Sequence, residues 1–452
     1  MIRARGPRPD RAGVSRELLV LAVPALGALV AEPLFVLADT AMIGHLGAAQ
    51  LGGTGVASTI IQTALGLLVF LAYGTTPRVS RLVGAGRMRE ALGVGRDGVA
   101  LALGLGLALT AAGAFAGPAL AEALGARGAM APYAAEYIHG SLPGLTGMLA
   151  MFALTGVFRG LGDAKTPLRV AVAGAVANVG VNALFIYGLG LGVLGSGLGT
   201  SLVQWGMAVT LGLVLGRRMV REGVSFIPTL PGVRANAGAG VWLVLRSVTM
   251  RAAILAALVV VTGWGPEAAA GHQIIQGLFM LLSLALDAIA IAAQTLIARE
   301  LGASNAERVL VFLKIMLRWG VGVGLAAGAV LAACSPFVAG WFGQAQIAPA
   351  VTAAVLVLAA SQPLAAVVFV LDGVLIGASD LKYLALVSIA TLAVYAACLA
   401  GVGLAFPPGA RQMPTAELAW LWAAWSVGFM AARAATLWVR ARTGAWVRLG
   451  AD

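Results

Sequence analysis

Glu32 and Asp39 lie in the stretch "AEPLFVLADTAMIGHLG" (residues 31–47), at the end of the oily run "LLVLAVPALGALV". Seven residues apart on a helix, they are separated by about 10 Å along its axis and about 20° around it. Two carboxylates so placed can take up protons or hold a monovalent cation. Further along, Asn178 and Asn182 in "ANVGVNALFIYG" stand one helical turn apart, and Thr200 and Gln204 follow in the next apolar segment. Asp287, in the middle of "LLSLALDAIAIAAQ", and Asp372 are two more acids inside apolar sequence. An ionisable residue within a membrane span is a functional-site hypothesis by default.

Each of these residues also has a structural reading. Asp39, about 31 Å of helix beyond Leu18, can equally sit at the outer interface. Asn178 and Asn182 can bond across helices, and Asp287 can be neutralised by Arg251. Pro33 frees backbone carbonyls and can kink its helix, which suits a gate and plain packing alike. Other patterns carry little. Gly190, Gly192 and Gly195 fit a dinucleotide fingerprint but follow no βαβ unit. His45, His139 and His272 lack metal-ligand spacing, and Cys334 and Cys398 lack a paired spacing. With no soluble stretch large enough for a catalytic domain, the sequence argues against an enzyme.

The elements that must position these residues are membrane helices. Of 452 residues 60% are apolar and 11% charged, and the mean hydropathy is +0.95. A soluble chain carries about 25% charged residues. Twelve apolar runs, at 18–41, 52–76, 92–117, 131–158, 168–188, 193–215, 239–262, 268–293, 310–334, 350–376, 383–405 and 416–438, each approach the roughly 20 residues that a spanning helix needs. The first run reaches Leu37, too long for a signal-peptide core, and reads as a retained span. The net charge of +12 sits in short connectors without a basic face, which argues against nucleic acid. Of 30 basic residues, 26 fall in the tails, in the connectors after even-numbered spans or at their edges; the connectors after odd-numbered spans hold only Arg127 and Arg411. Basic residues mark the cytoplasmic side, so both termini are expected there.

The chain repeats itself. A shift of 217 lays "GVFRGLGDAK" (156–165) on "GVLIGASDLK" (373–382), and a shift of 218 lays "RLVGAG" (81–86) on "RELGAS" (299–304). Six spans per repeat give both halves the same orientation, as in alternating-access transporters. The expected organisation is a cytoplasmic tail (1–17), an N-lobe (18–215), a cytoplasmic linker (216–238), a C-lobe (239–438) and a second cytoplasmic tail (439–452).

"PLFVLADTAMIGHLG", "GVFRGLGDAKTP", "GLGVLGSGLGTSLVQW", "GHQIIQGLFMLLSLALDAIAIAAQTLIARELGA" and "VLDGVLIGASD" together resemble the multidrug and toxic compound extrusion (MATE) family, most of all its DinF-like branch. The likeness covers essentially the whole chain. It implies an all-α, V-shaped exporter of two six-helix lobes around a central cavity. Its cargo would be organic, often cationic amphipathic compounds, exchanged for protons or Na⁺ without any other cofactor. It further implies a monomer in a bacterial inner membrane, with small organic substrates and the lipid bilayer as its partners. Coupling residues carried over from the family fall on Asp39, Asn178, Asn182 and Thr200. Glu32, Pro33, Gln204, Arg251, Asp287, Gln294 and Asp372 are candidates for cavity or gate. Asn182 stands where an Asp is frequent, which leaves Asp39 as the one carboxylate of the four and favours protons over sodium. Two other readings are a lipid-linked saccharide flippase of the same superfamily, for which Arg246 and Arg251 are the only phosphate-binding candidates, and a non-transporting scaffold or receptor.

Overall fold

The computed structural model describes residues 11–409 and 414–451, without the side chains of residues 11, 12, 32, 70, 72 and 73. Arg411 and the first ten residues lie outside the described residues, as does the side chain of Glu32. The chain is helical almost throughout: α1 (Arg11–Gly44), α2 (Ala48–Leu68), α3 (Phe70–Gly84), α4 (Met88–Ala123), α5 (Ala131–Gly160), α6 (Lys165–Ala183), α7 (Gly192–Glu222), α8 (Leu230–Thr262), α9 (Pro266–Gly302), α10 (Ala306–Trp341), α11 (Ala348–Gly377), α12 (Leu381–Ala405), α13 (Thr415–Ala423) and α14 (Ala432–Thr443).

Eleven of the described segments are long and apolar enough to cross a membrane. The twelfth span is interrupted: a π-helical stretch, Ala424–Ala431, divides α13 from α14. The second span is also divided, between α2 and α3 at Val69. No proline marks that break and the hydropathy runs through it, so the sequence reads as one element. Several helices outrun the spans expected of them. α9 has 37 residues, about 55 Å, against a hydrocarbon core of about 30 Å. Hydropathy reports only the part inside the apolar layer, whereas backbone hydrogen bonding continues into the polar ends. Of residues 216–238, only 223–229 lie outside helices, because Gly223 ends α7 in the left-handed conformation (φ 66°).

The described residues form two compact units, one of residues 23–244 and one of residues 11–22 with 245–409 and 414–450. In the first, α5 is the central helix; in the second, α11 is. Buried residues make up 72% and 61% of the apolar windows in the segments that hold them. Close approach there depends on glycine. A Cβ on Gly140 of α5 would lie 2.8 Å from the Leu194 carbonyl of α7, and one on Gly328 of α10 would lie 2.5 Å from the Ala359 carbonyl of α11. Membrane helices gain little from burying apolar surface against lipid, so close backbone packing takes its place.

The backbone carries the repeat more clearly than the side chains do. Among the described residues, the only non-glycines with positive φ are Ser304 (57°) and Ser379 (60°). They stand 218 and 217 residues after Gly86 (75°) and Gly162 (80°). Gly47 (144°) and Gly265 (113°) form a third such pair. Each pair marks the same helix-to-helix turn, kept in shape where the glycine itself has changed.

Asp163, between α5 and α6, holds one of these turns. It accepts hydrogen bonds from the Thr166 backbone N–H (3.0 Å) and hydroxyl (2.8 Å), and it pairs with Arg218 of α7 at 2.5 Å. Partial burial pushes its carboxyl up, but the Thr166 donors and Arg218 outweigh this and hold it below the usual carboxylate value. A depressed folded value stabilises the protein above the unfolded pKa of about 3.9 and loses that contribution as pH falls through the folded value. Asp163→Asn is therefore expected to lower the thermal midpoint at pH 7, with the gap to wild type closing in acid. Unfolding scans in detergent across that pH range check this.

Candidate functional site

Most of the C-terminal half of α1 is exposed, with Leu34 58% and Leu37 65% exposed, yet Asp39 is only 5% exposed. One turn further, Ile43 is fully buried on the same face. On α6 Asn178 and Asn182 are both completely buried, as an i, i+4 pair on one inward face must be. A π-helical turn, Leu184–Gly188, follows directly; such turns re-aim the residues beside them.

These elements bring four of the sequence candidates together within the 23–244 unit. Asp39 Oδ1 accepts a hydrogen bond from Asn182 Nδ2 at 2.9 Å and a short one from the Ser196 hydroxyl of α7. Its Oδ2 accepts from the Tyr137 hydroxyl of α5 at 3.3 Å. Asn182 Nδ2 also reaches Asn178 Oδ1 at 3.3 Å, and Asn178 Nδ2 donates to the Thr200 hydroxyl at 3.2 Å. Sequence reasoning missed Ser196 and Tyr137, since a serine or tyrosine in an apolar span carries no signal of its own.

Every donor to Asp39 is neutral, and no basic side chain among the described residues forms an ion pair with it. A buried carboxylate without a cation costs several kcal/mol, so the site takes either a proton on Asp39 or a monovalent cation. Oxygen ligands for a cation are at hand: the Asp39 carboxylate, the Thr200 hydroxyl and Asn182 Oδ1, which is buried and makes no hydrogen bond. Among the described residues, no group of three or more His, Cys, Asp or Glu side chains could hold a metal ion. Gly199 makes room for Asn182, because a Cβ there would lie 2.1 Å from Asn182 Oδ1. Gly199→Ala is expected to displace the amide and to slow coupled transport about tenfold, the effect of losing one hydrogen bond to a charged group. Gly206→Ala, on the same helix with nothing within 4 Å, is the control, and both are read by dye efflux.

Asp39 and Thr200 open onto a cavity of about 240 Å³, whose wall includes Gln62, Met148, Phe152 and Gln204. The lining is mostly apolar, as small-molecule sites are.

The other candidates lie elsewhere. Pro33 is within the continuous helix α1. In the second unit, Gln294 is buried and Asp287 half-buried on α9, while Arg251 of α8 is exposed. A buried ion pair is made by Asp372. Arg433 grips it with two bonds, Nε to Oδ2 at 3.0 Å and Nη2 to Oδ1 at 2.7 Å. Arg246 adds a contact at 3.1 Å, and Arg433 also donates to the Ser388 hydroxyl at 2.8 Å. Arg433, counted from sequence with the C-terminal region, is fully buried.

Residues 24–184 and 243–401 match the MatE family model. The chain belongs to the MatE family. It is thus a membrane transporter rather than an enzyme. Among MatE relatives it is 29% identical over 394 residues to Protein DETOXIFICATION 44, chloroplastic, of Arabidopsis thaliana, covering 84% of this chain and 75% of that one. It is 26% identical over 311 residues to the probable multidrug resistance protein NorM of Thermotoga maritima, covering 67% of each. The Vibrio cholerae MATE transporter VcmN in its bent form superposes with a TM-score of 0.87 at 18% identity, covering 97% of this chain and 98% of that one. A MATE transporter crystallised in a bent conformation gives 0.84 at 22%, covering 96% and 97%. At such identities the likeness establishes the MatE fold: twelve spans in two six-span repeats.

Proposed function

We propose that the protein is a secondary active exporter of organic, cationic amphipathic compounds, driven by protons that bind Asp39. The observation that carries this reading is a buried carboxylate at the wall of an apolar cavity, held only by neutral donors. The cavity suits the apolar body of such a cargo, and a deprotonated Asp39 suits its positive charge. One site thereby serves cargo and proton in turn, which is the condition for exchange. The names of relatives such as the NorM protein support a drug-like cargo. Asn182, an amide, carries no proton, so Asp39 alone supplies the charge change.

In this reading a proton enters from the acidic outer side and neutralises Asp39, and α1 repacks near Pro33 so that the cavity shrinks and releases its cargo. Return to the inward state delivers the proton to the cytoplasm. The basic tails and connectors support cytoplasmic termini, and the family resemblance of the sequence motifs supports a DinF-like monomer of a bacterial inner membrane. The flippase reading is disfavoured by Arg246, which is engaged with Asp372 rather than free for a phosphate.

Ethidium efflux from proteoliposomes under an imposed pH gradient, and separately a sodium gradient, tests the proposal. Efflux under the pH gradient alone is expected. Efflux under sodium alone would move the coupling ion to the amide and hydroxyl oxygens around Asn182, and efflux under neither would remove the proposed cargo.

A further inference from the structure

The repeat carries the neighbourhood of Asp39 into the second unit with its chemistry altered. Gly47 and Gly265 fix a shift of 218 at equivalent turns. Gly53 and Gly271 hold the same register: a Cβ on the first would touch Met130 and Ala134, and one on the second Ile347 and Val351, themselves 217 residues further on. On this register Asp39 falls on Ala257, Thr54 on His272 and Ser58 on Gln276. The Asp163/Asp380 match lays Asn178 on Tyr395. Ala257, His272, Gln276 and Tyr395 all line one small cavity of the second unit, with Trp422 and Trp425 of the last span beside them.

Where the first unit has a carboxylate, the second therefore has a methyl group surrounded by hydrogen-bond donors. His272 Nδ1, Tyr395 Oη, Trp422 Nε1 and Trp425 Nε1 are buried and make no hydrogen bond within the protein. Their side chains are 4%, 0%, 2% and 7% exposed respectively. The two indole N–H groups only donate, the phenol donates, and the imidazole donates from Nδ1 in one tautomer. A buried donor left unpaired costs about 1–3 kcal/mol, and four around one cavity call for a common acceptor. The aromatic frame is dense: His272 and Trp422 have ring centroids 5.6 Å apart, and Tyr395 and Trp425 meet edge-on at 5.5 Å. Ring edges carry the positive end of the aromatic quadrupole.

We propose that this cavity binds a single small anion of halide size, held by Trp422, Trp425, Tyr395 and His272. It is a counterpart of the Asp39 site with reversed polarity. The cavity volume of about 10 Å³ is near the smallest that holds one water-sized guest, which excludes phosphate, a carboxylate or an organic cargo. Water accepts two hydrogen bonds through its two lone pairs and leaves the other donors unmet, whereas a halide accepts from all four.

The test uses the full chain purified in detergent with gluconate as the only anion, titrated with bromide while indole fluorescence is read. The expected result is saturable quenching that chloride reverses, with half-saturation about tenfold higher in Tyr395→Phe, which lacks one donor to the anion. Chloride should also raise the thermal midpoint of wild type more than that of Tyr395→Phe, since a ligand of the folded state stabilises it. Matching midpoints for the two proteins in gluconate establish that the variant folds. Quenching that rises without saturation, ignores chloride and is equal in both proteins would overturn the proposal and leave a cavity that holds water at most.

Discussion

Asp39→Asn is expected to abolish export driven by a pH gradient and to weaken ethidium–ethidium exchange. Asparagine has the shape of a protonated aspartate and can still accept from Asn182 and Ser196 through its carbonyl oxygen, while its amide nitrogen donates to the Tyr137 hydroxyl. It cannot lose a proton, so the variant loses the driving ion and the negative charge that attracts the cargo. A gradient of one pH unit contributes about 1.4 kcal/mol per proton, roughly tenfold in cargo accumulation, and that factor is what the variant should forfeit. Accumulation in energised proteoliposomes and exchange at equilibrium measure the two halves separately. Equal accumulation by both proteins would remove Asp39 from the coupling step. Exchange as fast as in wild type would show that cargo does not use the Asp39 charge.

The second large effect concerns Asp372. The carboxylate lies between two guanidinium groups, and Arg433 is fully buried. Asp372→Asn leaves Arg433 and Arg246 facing one another without their counter-ion. Breaking a buried pair by removing one partner costs about 3–5 kcal/mol, a large part of the stability of any domain. The expected outcome is a variant with poor yield and a much lower thermal midpoint. Arg433→Met added to it should restore part of the loss, because it removes the stranded charge and keeps an unbranched apolar chain in its place. A double-mutant cycle on the midpoint reads the coupling between the two residues. If Asp372→Asn instead keeps its stability and loses transport, Asp372 carries the ion and is no brace.

Sequence alone reveals the spans, because each must present some twenty apolar residues to the bilayer. It misses the break at Val69 and the π stretch at Ala424–Ala431, since neither changes the hydropathy that betrays a span. Asn178 and Asn182 can be paired from their spacing on one face, but their meeting with Asp39 needs α1 and α6 to be neighbours, which no local pattern encodes; here it came by way of family resemblance. Ser196 and Tyr137 stayed hidden, being ordinary residues in helices of this kind. Arg433 was misread for a different reason. A lone arginine near the end of the last span looks like part of a basic tail, and its burial follows only from Asp372, 61 residues earlier in the chain. The repeat shows the reverse relation. Gly86 and Ser304, or Gly162 and Ser379, differ in type, yet the shared positive φ shows that the turn outlasted the glycine.

That turn-by-turn equivalence also frames how the two units differ. The first keeps an acid in its buried polar cluster and opens it onto an apolar cavity. The second has Ala257 at that place, and one of its buried acids, Asp372, is paired elsewhere with Arg433 and Arg246.

The most direct measurement is proton release on cargo binding. Purified protein in weakly buffered detergent solution is mixed with ethidium while a pH-indicating dye is followed. Wild type should release a single proton per bound cation, and Asp39→Asn should bind ethidium more weakly and release no proton. Equal release by both proteins, or release from neither while sodium competes with ethidium, would contradict a proton-coupled site at Asp39.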